Sequence, residues 1–466
     1  MASIRVTLPL PLALFFLSGC VTGPEHTPPQ TPLPEKFAEG GRKSNTEVTI
    51  AAWWTAFNDE RLNGLVERGL NQNLDVLQAL ERITAAEANV VVAGAGGLPS
   101  LTVSGDESVS KTGGTGDYVT RTTDTTSAAS GGLGASWLLD MFGQYRRARE
   151  AATASLGAAY ANADVAKLIY LSDLVTSYIK ARYYQERIAI ARKNLASRRE
   201  TLDLTKLQLE AGDASRLDVV QSEGLVNSTL ADLPGLETSF RQSAHHIATL
   251  LGLPASTLIA DLQKGAPQPI ARSSVNAGVP ADLIRNRPDI RKAELELAAA
   301  VAEIGVAEAQ LYPTITLNGS ISPSWVSTKS LAGSVSSWSF GPSLTLPIFD
   351  GGRLKANVHI AESSARGAHI AWRAAVLNAV EEVENALAAV NRDNRTVSAL
   401  TATVSSYEEA LALSTASYKD GASSILDVLD AQRSVSTAQA SLAQAIQQMA
   451  TDYVALNVAI GGGYAF

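Results

Sequence analysis

A single cysteine, Cys20, stands in 466 residues, so no disulfide can form within the chain and its stability must come from packing. Histidine is nearly as scarce: His26, His245, His246, His359 and His369 fall in no HExxH spacing. There is also no CxxC pair, no Walker loop and no GxSxG elbow. The usual carriers of hydrolytic, redox and phosphoryl-transfer chemistry are missing, so the expectation is a protein that is not an enzyme and uses no metal or cofactor. Basic runs are absent, and a formal net charge of -8 argues against nucleic acid or anionic lipid surfaces as partners. Hydrophobic residues make up 45% of the chain, yet beyond its start no apolar stretch is long enough for a membrane helix. Any crossing of a membrane must use strands.

What is present begins with Arg5 and the apolar run 6–17, the layout of a secretory signal whose h-region is too short to span a bilayer. The run ends in Leu17-Ser18-Gly19-Cys20, which resembles the lipobox of bacterial lipoproteins. That resemblance implies that residues 1–19 are removed and that Cys20 becomes a lipid-modified N-terminus. A buried free thiol beside an ordinary cleavage site is the plainer alternative. Prolines crowd 24–34, so residues 20–50 read as a semi-rigid, extended tether.

The remainder is written twice. Residues 211–221 (AGDASRLDVVQ) and 420–430 (DGASSILDVLD) share Gly212, Ser215, Leu217, Asp218 and Val219 with Gly421, Ser424, Leu426, Asp427 and Val428, an offset of 209 (421 − 212). Upstream, Leu174, Ala181, Ile188, Leu195, Leu202 and Leu209 form an apolar heptad column, and the same offset gives Val383, Val390, Val397, Val404, Leu411 and Tyr418. A seven-residue period specifies helices wound left-handedly on a neighbour. Nearer the start of each half, LPSLTVSG (98–105) matches YPTITLNG (312–319) at an offset of 214 (312 − 98). The expected fold is a duplicated α+β chain, with a first repeat at 51–255, a connection at 256–281 and a second repeat at 282–466. Each repeat runs helix, strand, Gly/Ser/Thr-rich loop, strand, long helix, Gly turn, helix.

The strands alternate. Leu101 and Val103, then Leu133, Ala135 and Trp137, then Ile315, Leu317 and Ile321, then Phe340, Leu344, Leu346 and Ile348 fall on single faces, with mostly Ser, Thr, Asn or Gly between them. A membrane β-wall and a soluble sandwich fit this pattern equally. Four strands cannot close a barrel, and open edges are not tolerated in lipid, so a membrane reading requires several chains to share one barrel. No proline interrupts 144–211, which at ~1.5 Å per residue makes a rod of ~100 Å. Helices at 73–97 and 213–251 together match it in length, as 288–311 and 422–460 together match 353–419. Rods of this length suit a tube across a wide aqueous compartment better than a single soluble core.

Cys20, the prolines of 24–34, WWTAFNDERLNGLV (53–66), NRPDI (286–290), LPIFDGGRL (346–354) and GASSILDVLDAQ (421–432) together resemble the TolC-like outer-membrane factors, specifically the lipid-anchored NodT branch. The resemblance implies a homotrimer whose four strands per chain close one 12-stranded barrel, continued by a helical periplasmic tunnel. It implies a passive exit duct of a tripartite efflux pump, anchored in outer-membrane lipid, that docks on a periplasmic membrane-fusion adaptor and an inner-membrane transporter of the RND type. The rival reading, from the residues alone, is a lipid-anchored periplasmic coiled-coil scaffold without a pore.

Ser215-x-x-Asp218 and Ser424-x-x-Asp427 follow Gly turns and precede apolar runs, the arrangement of a capping box with Asp in place of Glu. Capping does not exclude a pore role, and Asp430, three residues beyond Asp427, is not explained by capping. The resemblance places a periplasmic gate at these turns, carrying an acidic ring onto Asp427 and Asp430 and interhelix links onto Asp218 and Tyr418. Ser423 stands where some relatives have a basic residue, a departure that leaves helix packing and polar links to hold the closed state. Asn286-Arg287-Pro288-Asp289 reads as a helix start with Asn as N-cap and Pro first in the helix. Trp53 and Trp54 are expected to pack beside the helices, and Gly94, Gly96 and Gly97 to end one.

Overall fold

Glycine turns set where the long helices of this chain stop, and the computed structural model describes residues 21–39, 52–113, 124–271, 280–328, 330 and 332–464. The expected signal peptide and Cys20 lie outside the described residues. In chain order come a 3-10 turn (Trp53–Phe57), α1 (Glu60–Gln72), α2 (Leu74–Ala95), β1 (Ser100–Thr112), β2 (Asp124–Leu139), α3 (Gln144–Ala211), α4 (Arg216–Leu250), α5 (Ile259–Leu262), α6 (Pro280–Asn286), α7 (Pro288–Ala309), β3 (Thr314–Ser327), β4 (Ala332–Thr345), α8 (Arg353–Lys419) and α9 (Ile425–Ala459). The two proline-free stretches are continuous helices of 68 and 67 residues. Pro234 sits inside α4 without ending it. Among the described residues no helix is long and apolar enough to cross a membrane.

The duplication is present in the backbone. Gly143 (φ 82°) and Gly352 (88°), Gly212 (88°) and Gly421 (70°), and Gly252 (67°) and Gly461 (79°) are three pairs, each 209 apart (352 − 143, 421 − 212, 461 − 252). All six occupy the left-handed region, which a Cβ disfavours, so the chain reverses or turns at the same place in each repeat.

The chain divides into two units. One contains residues up to Gln30, Ile83–Ala159 and Ala293–Trp372; the other contains Thr31–Arg82, Tyr160–Lys292 and Arg373–Phe466. Among its described residues the first holds a single antiparallel sheet in the order β1-β2-β3-β4, not the two packed sheets of a sandwich. Register sets the rows. Leu101, Ala135, Gly319 and Phe340 lie side by side, as do Val103, Leu133, Ile321 and Trp338 two residues along. Directly paired residues point to one face, so these rows build a continuous apolar surface. Between them the row Thr102, Gly134, Ser320 and Ser339 points the other way. Trp338 and Phe340 are 80% and 77% exposed, an unusual position for large aromatics in a folded chain. Leu346 and Ile348, expected on the fourth strand, lie beyond its end at Thr345, because Pro347 cannot donate to a ladder.

In the second unit the core gathers around the 3-10 turn. Trp53, Trp54 and Phe57 are buried, with Trp53 edge-on to Trp54 at 5.7 Å and Phe57 edge-on to Tyr453 at 5.4 Å. Burying each large side chain contributes about 1.5–3 kcal/mol. Beside them Tyr178 donates to Asp59 Oδ2 at 2.5 Å and accepts from Arg182 Nη2 at 2.9 Å, tying the start of α1 to α3. Burial, with Asp59 adding to it, pushes the Tyr178 hydroxyl pKa up.

Equivalent positions of the repeats perform one task with different chemistry. Asn73 Nδ2 donates to the carbonyl of Leu250, the last residue of α4, at 2.9 Å, and Arg287 Nη1 donates to that of Ala459, the last residue of α9, also at 2.9 Å. These pairs stand at the repeat offsets (287 − 73 = 214; 459 − 250 = 209). Arg287 also grips Asp289 through two bonds of 3.0 and 2.7 Å and Glu382 through one of 2.6 Å. Burial acts to lower its pKa, but the two carboxylates outweigh that and hold it above its ordinary value. Asn286 therefore is not the N-cap expected for α7: it ends α6, and Arg287 occupies the place before Pro288. Removing the fork leaves a buried helix end without its donor. Arg287→Ala should cost about 2 kcal/mol or more, and Asn73→Ala about 1 kcal/mol, in denaturant unfolding followed by helical signal. Arg287→Lys should recover only part of the loss, since an ammonium cannot make the paired bonds.

Candidate functional site

At the hairpin between α3 and α4, Gly212 and Asp213 close the end of α3 by donating to Leu209 O (3.1 Å) and Gln208 O (2.8 Å). The hairpin between α8 and α9 repeats this, with Gly421 donating to Tyr418 O (3.0 Å) and Ala422 to Ser417 O (2.8 Å). Both following helices open with a capping box. Ser215 N donates to Asp218 Oδ2 at 2.8 Å and Asp218 N to Ser215 Oγ at 3.2 Å. Ser424 N donates to Asp427 Oδ2 at 3.1 Å, and Ser424 Oγ accepts from Leu426 N at 3.1 Å. Asp218 and Asp427 are thus fixed by their own helices.

Tyr418 is buried with Leu225, Ile425, Val428 and Leu429, and its hydroxyl donates to Gln208 Oε1 on α3. Burial pushes its pKa up, the nearby Thr205 hydroxyl opposes that, and the charge of Asp218 adds to the rise. The hydrogen-bonded interhelix link therefore runs from Tyr418 to Gln208, while Asp218 is bonded to Ser215. Sequence reasoning missed Gln208: its counterpart in the second repeat is Ser417, so the duplication carries no signal for it. Asp427 and Asp430 are exposed and flank the buried Val428 and Leu429. With Asp213 and Asp420, the turns gather carboxylates at one end of the helices.

Further from the tips the helix seam turns polar. Gln432 Nε2 donates to Thr201 Oγ1 at 2.8 Å, and the buried Arg198 donates to Thr229 Oγ1 and, at 3.5 Å, to Leu225 O. Burial lowers the Arg198 pKa, with Asp232 opposing.

The sheet contributes a second surface. Its polar face is bridged by hydroxyls and one amide: Ser136 Oγ donates to Asn318 Oδ1 (3.2 Å), Asn318 Nδ2 to Ser343 Oγ (3.0 Å), and Ser320 and Ser339 share a bond of 2.9 Å. Trp137, on the apolar face and exposed, donates its indole N–H to Gly97 O at 3.0 Å.

The segment that follows Cys20 is fastened rather than free. Thr22 N donates to Phe142 O at 3.1 Å, and Arg147 donates from Nε to Thr22 O (3.0 Å) and from Nη2 to Gly23 O (3.1 Å). Gly23 is left-handed (φ 87°), and a Cβ there would come within 2.4 Å of Gly305 Cα, so no larger residue fits. At the other end Phe37 is buried, and the N–H groups of Ala38 and Glu39 donate to the Glu384 carboxylate at 2.6 and 3.1 Å. Arg392 pairs with Glu39 at 3.0 Å.

The family described as outer membrane efflux protein matches residues 65–253 and 279–462, one match in each repeat. Nodulation protein T of Rhizobium leguminosarum bv. viciae is 59% identical over 451 residues, covering 96% of this chain and 92% of that protein. The pyoverdine export outer membrane protein OpmQ of Pseudomonas aeruginosa is 32% identical, covering 92% of this chain and 90% of that protein. Among solved structures, the outer-membrane channel OprN superposes with a TM-score of 0.85 at 31% identity, covering 96% of this chain and 100% of that one. The chain belongs to the outer membrane efflux protein family, whose members are channels, and is an outer-membrane exit channel of an efflux system.

Proposed function

We propose that three copies of this chain close one 12-stranded barrel in the outer membrane, continued by a helical periplasmic tunnel through which drugs or other small molecules pass passively. The observation that carries this is the sheet: four strands with β1 and β4 both unpaired at the edges, one face apolar and the other lined with hydroxyls. Backbone groups cannot stay unpaired in hydrocarbon, where each costs several kcal/mol, and three copies joined β4 to β1 leave none. Apolar residues left open on α8 support a lateral partner: Ile360, Ile370, Leu377, Tyr407 and Leu413 are exposed in the single chain. The heptad columns agree. In the first column Leu174, Ala181, Leu195 and Leu202 are buried and Ile188 and Leu209 half-buried, whereas in the second Val383 and Tyr418 are buried and Val390, Val397, Val404 and Leu411 half-buried. A scaffold without a pore has no use for the apolar wall.

In this reading the domain limits follow the repeats, at 51–255 and 282–466, with 256–281 between them in a collar. A membrane-fusion adaptor and an inner-membrane transporter of the RND type supply contact and energy. The lipid on Cys20 is a second attachment, because the barrel already holds the trimer in the membrane. Asp427 and Asp430 of three copies place six carboxylates around one constriction and attract cations, while Tyr418 and Asp218 hold the neighbouring helices.

Purified protein should run as a heat-modifiable trimer and conduct ions in planar bilayers; a monomer without conductance would remove the barrel and favour the scaffold. Asp427→Ala combined with Asp430→Ala should lower the cation-to-anion permeability ratio severalfold while leaving the trimer intact, and unchanged selectivity would take the constriction away from these residues. Cys20→Ser with a working cleavage site should reduce the amount of trimer delivered to the outer membrane more than the conductance of each finished pore. Normal delivery with silent pores would give the lipid the larger role.

A further inference from the structure

Two carboxyl groups meet between α8 and α9 with no cation between them. Gln439 of α9 donates to Glu408 Oε1 of α8 at 2.7 Å, and the same antiparallel register brings Asp452 of α9 opposite Asp393 of α8, where each carboxyl acts on the other. Asp393 Oδ2 is buried and no donor is directed at it. Asp452 Oδ1 accepts from the Gln448 side-chain amide at 2.9 Å, so the one donor supplied locally is already taken. Ionised carboxylates only accept hydrogen bonds, and two of them in contact repel. One proton held by the pair turns that repulsion into a short, charge-assisted bond.

The surrounding charges are engaged elsewhere or face solvent. On α8, Arg392 pairs with Glu39 at 3.0 Å, Glu384 accepts from Ala38 and Glu39, and Arg395 is exposed. Along α9 no residue after Arg433 is charged except Asp452. Glu186 and Lys193 of α3 border α9 at Gln439, Leu442, Ala443 and Ile446 instead. Burial first, and the neighbouring carboxyl second, push the Asp393 pKa from the ordinary 3.8 up to about 6. Burial also raises Asp452.

We propose that Asp393 and Asp452 form a proton-held latch: with one shared proton the pair fastens α8 to α9, and without it the two carboxylates push the helices apart. The latch is a property of the single chain and does not depend on the channel's assembly or selectivity. Its sign follows from linkage. A carboxyl whose pKa is raised on folding binds its proton more tightly in the folded state. The stabilisation is therefore complete below the ordinary value of 3.8 and is lost as pH rises through about 6.

The test compares purified full-length protein with Asp393→Asn and Asp452→Asn at about pH 5 and about pH 7.5, by thermal loss of helical signal and by hydrogen exchange of peptides from 386–400 and 446–459. An amide donates at either pH, so each variant should melt higher than the native chain at the upper pH, by a few degrees, and show no gain at the lower pH. Exchange in both peptides should slow severalfold relative to the native chain at the upper pH only. The double variant should add nothing further. Equal pH dependence in native and variant chains would overturn the latch. So would failure of both single variants to fold, because the amide preserves shape and supplies the donor.

Discussion

An unpaired backbone group in hydrocarbon is the constraint on which the other features of this chain converge. Four strands per chain give two open edges, and the rows Leu101–Ala135–Gly319–Phe340 and Val103–Leu133–Ile321–Trp338 are suited to lipid rather than water. In the proposed barrel, a chain built this way is incomplete alone. A similar openness recurs in α8, where apolar side chains remain exposed and the heptad column is half-covered between the buried Val383 and Tyr418. Sheet and helices thus call for neighbours through different physics, backbone pairing in one and apolar burial in the other.

Duplication supplies the frame, and divergence sets what each copy does with it. Left-handed glycines recur at one offset because the turn geometry admits little else. Side chains that secure the turns are freer to change. Asn73 caps its own helix, through bonds of 3.0 Å from Asp75 N and Val76 N, while also bonding Leu250 O. Arg287 does the second task with a charge, and that charge recruits Asp289 and Glu382. A further pair follows the same logic. Arg182 Nη1 holds Lys264 O at 3.1 Å and Asn391 Nδ2 holds Glu39 O at 3.0 Å, again 209 apart (391 − 182). Each holds the segment that leads toward one repeat.

Whatever is local was legible in the sequence. The long helices could be read from missing proline and heptads, the turns from glycine, the caps from Ser-x-x-Asp, and the sheet rows from alternation. Contacts between distant positions were not. NRPDI reads as a helix start because Asn and Pro are strong local signals, but the partners that fix Arg287 are 95 and 172 positions away. Tyr418 pointed to the right turn, yet its partner Gln208 belongs to a position the repeats do not share. The prolines of 24–34 suggested a spacer, since composition reports stiffness and not the docking of Thr22, Gly23 and Phe37.

The tip aspartates separate two roles that sequence alone had joined. Asp218 and Asp427 each spend one oxygen, Oδ2, on the capping serine's backbone N–H. A carboxylate accepts at both oxygens, so capping leaves Asp427 exposed and charged with its other oxygen still available. Capping also fixes where that charge stands, because the side chain is held to the first turn of α9. Asp430 lies one turn further on, exposed, on a helix whose start is already satisfied by Ser424 and Asp427. Asp427 has a local task in capping α9, and among the described residues Asp430 has none. A constriction formed between copies would use both, the first as a positioned charge and the second as a charge that no contact among the described residues explains.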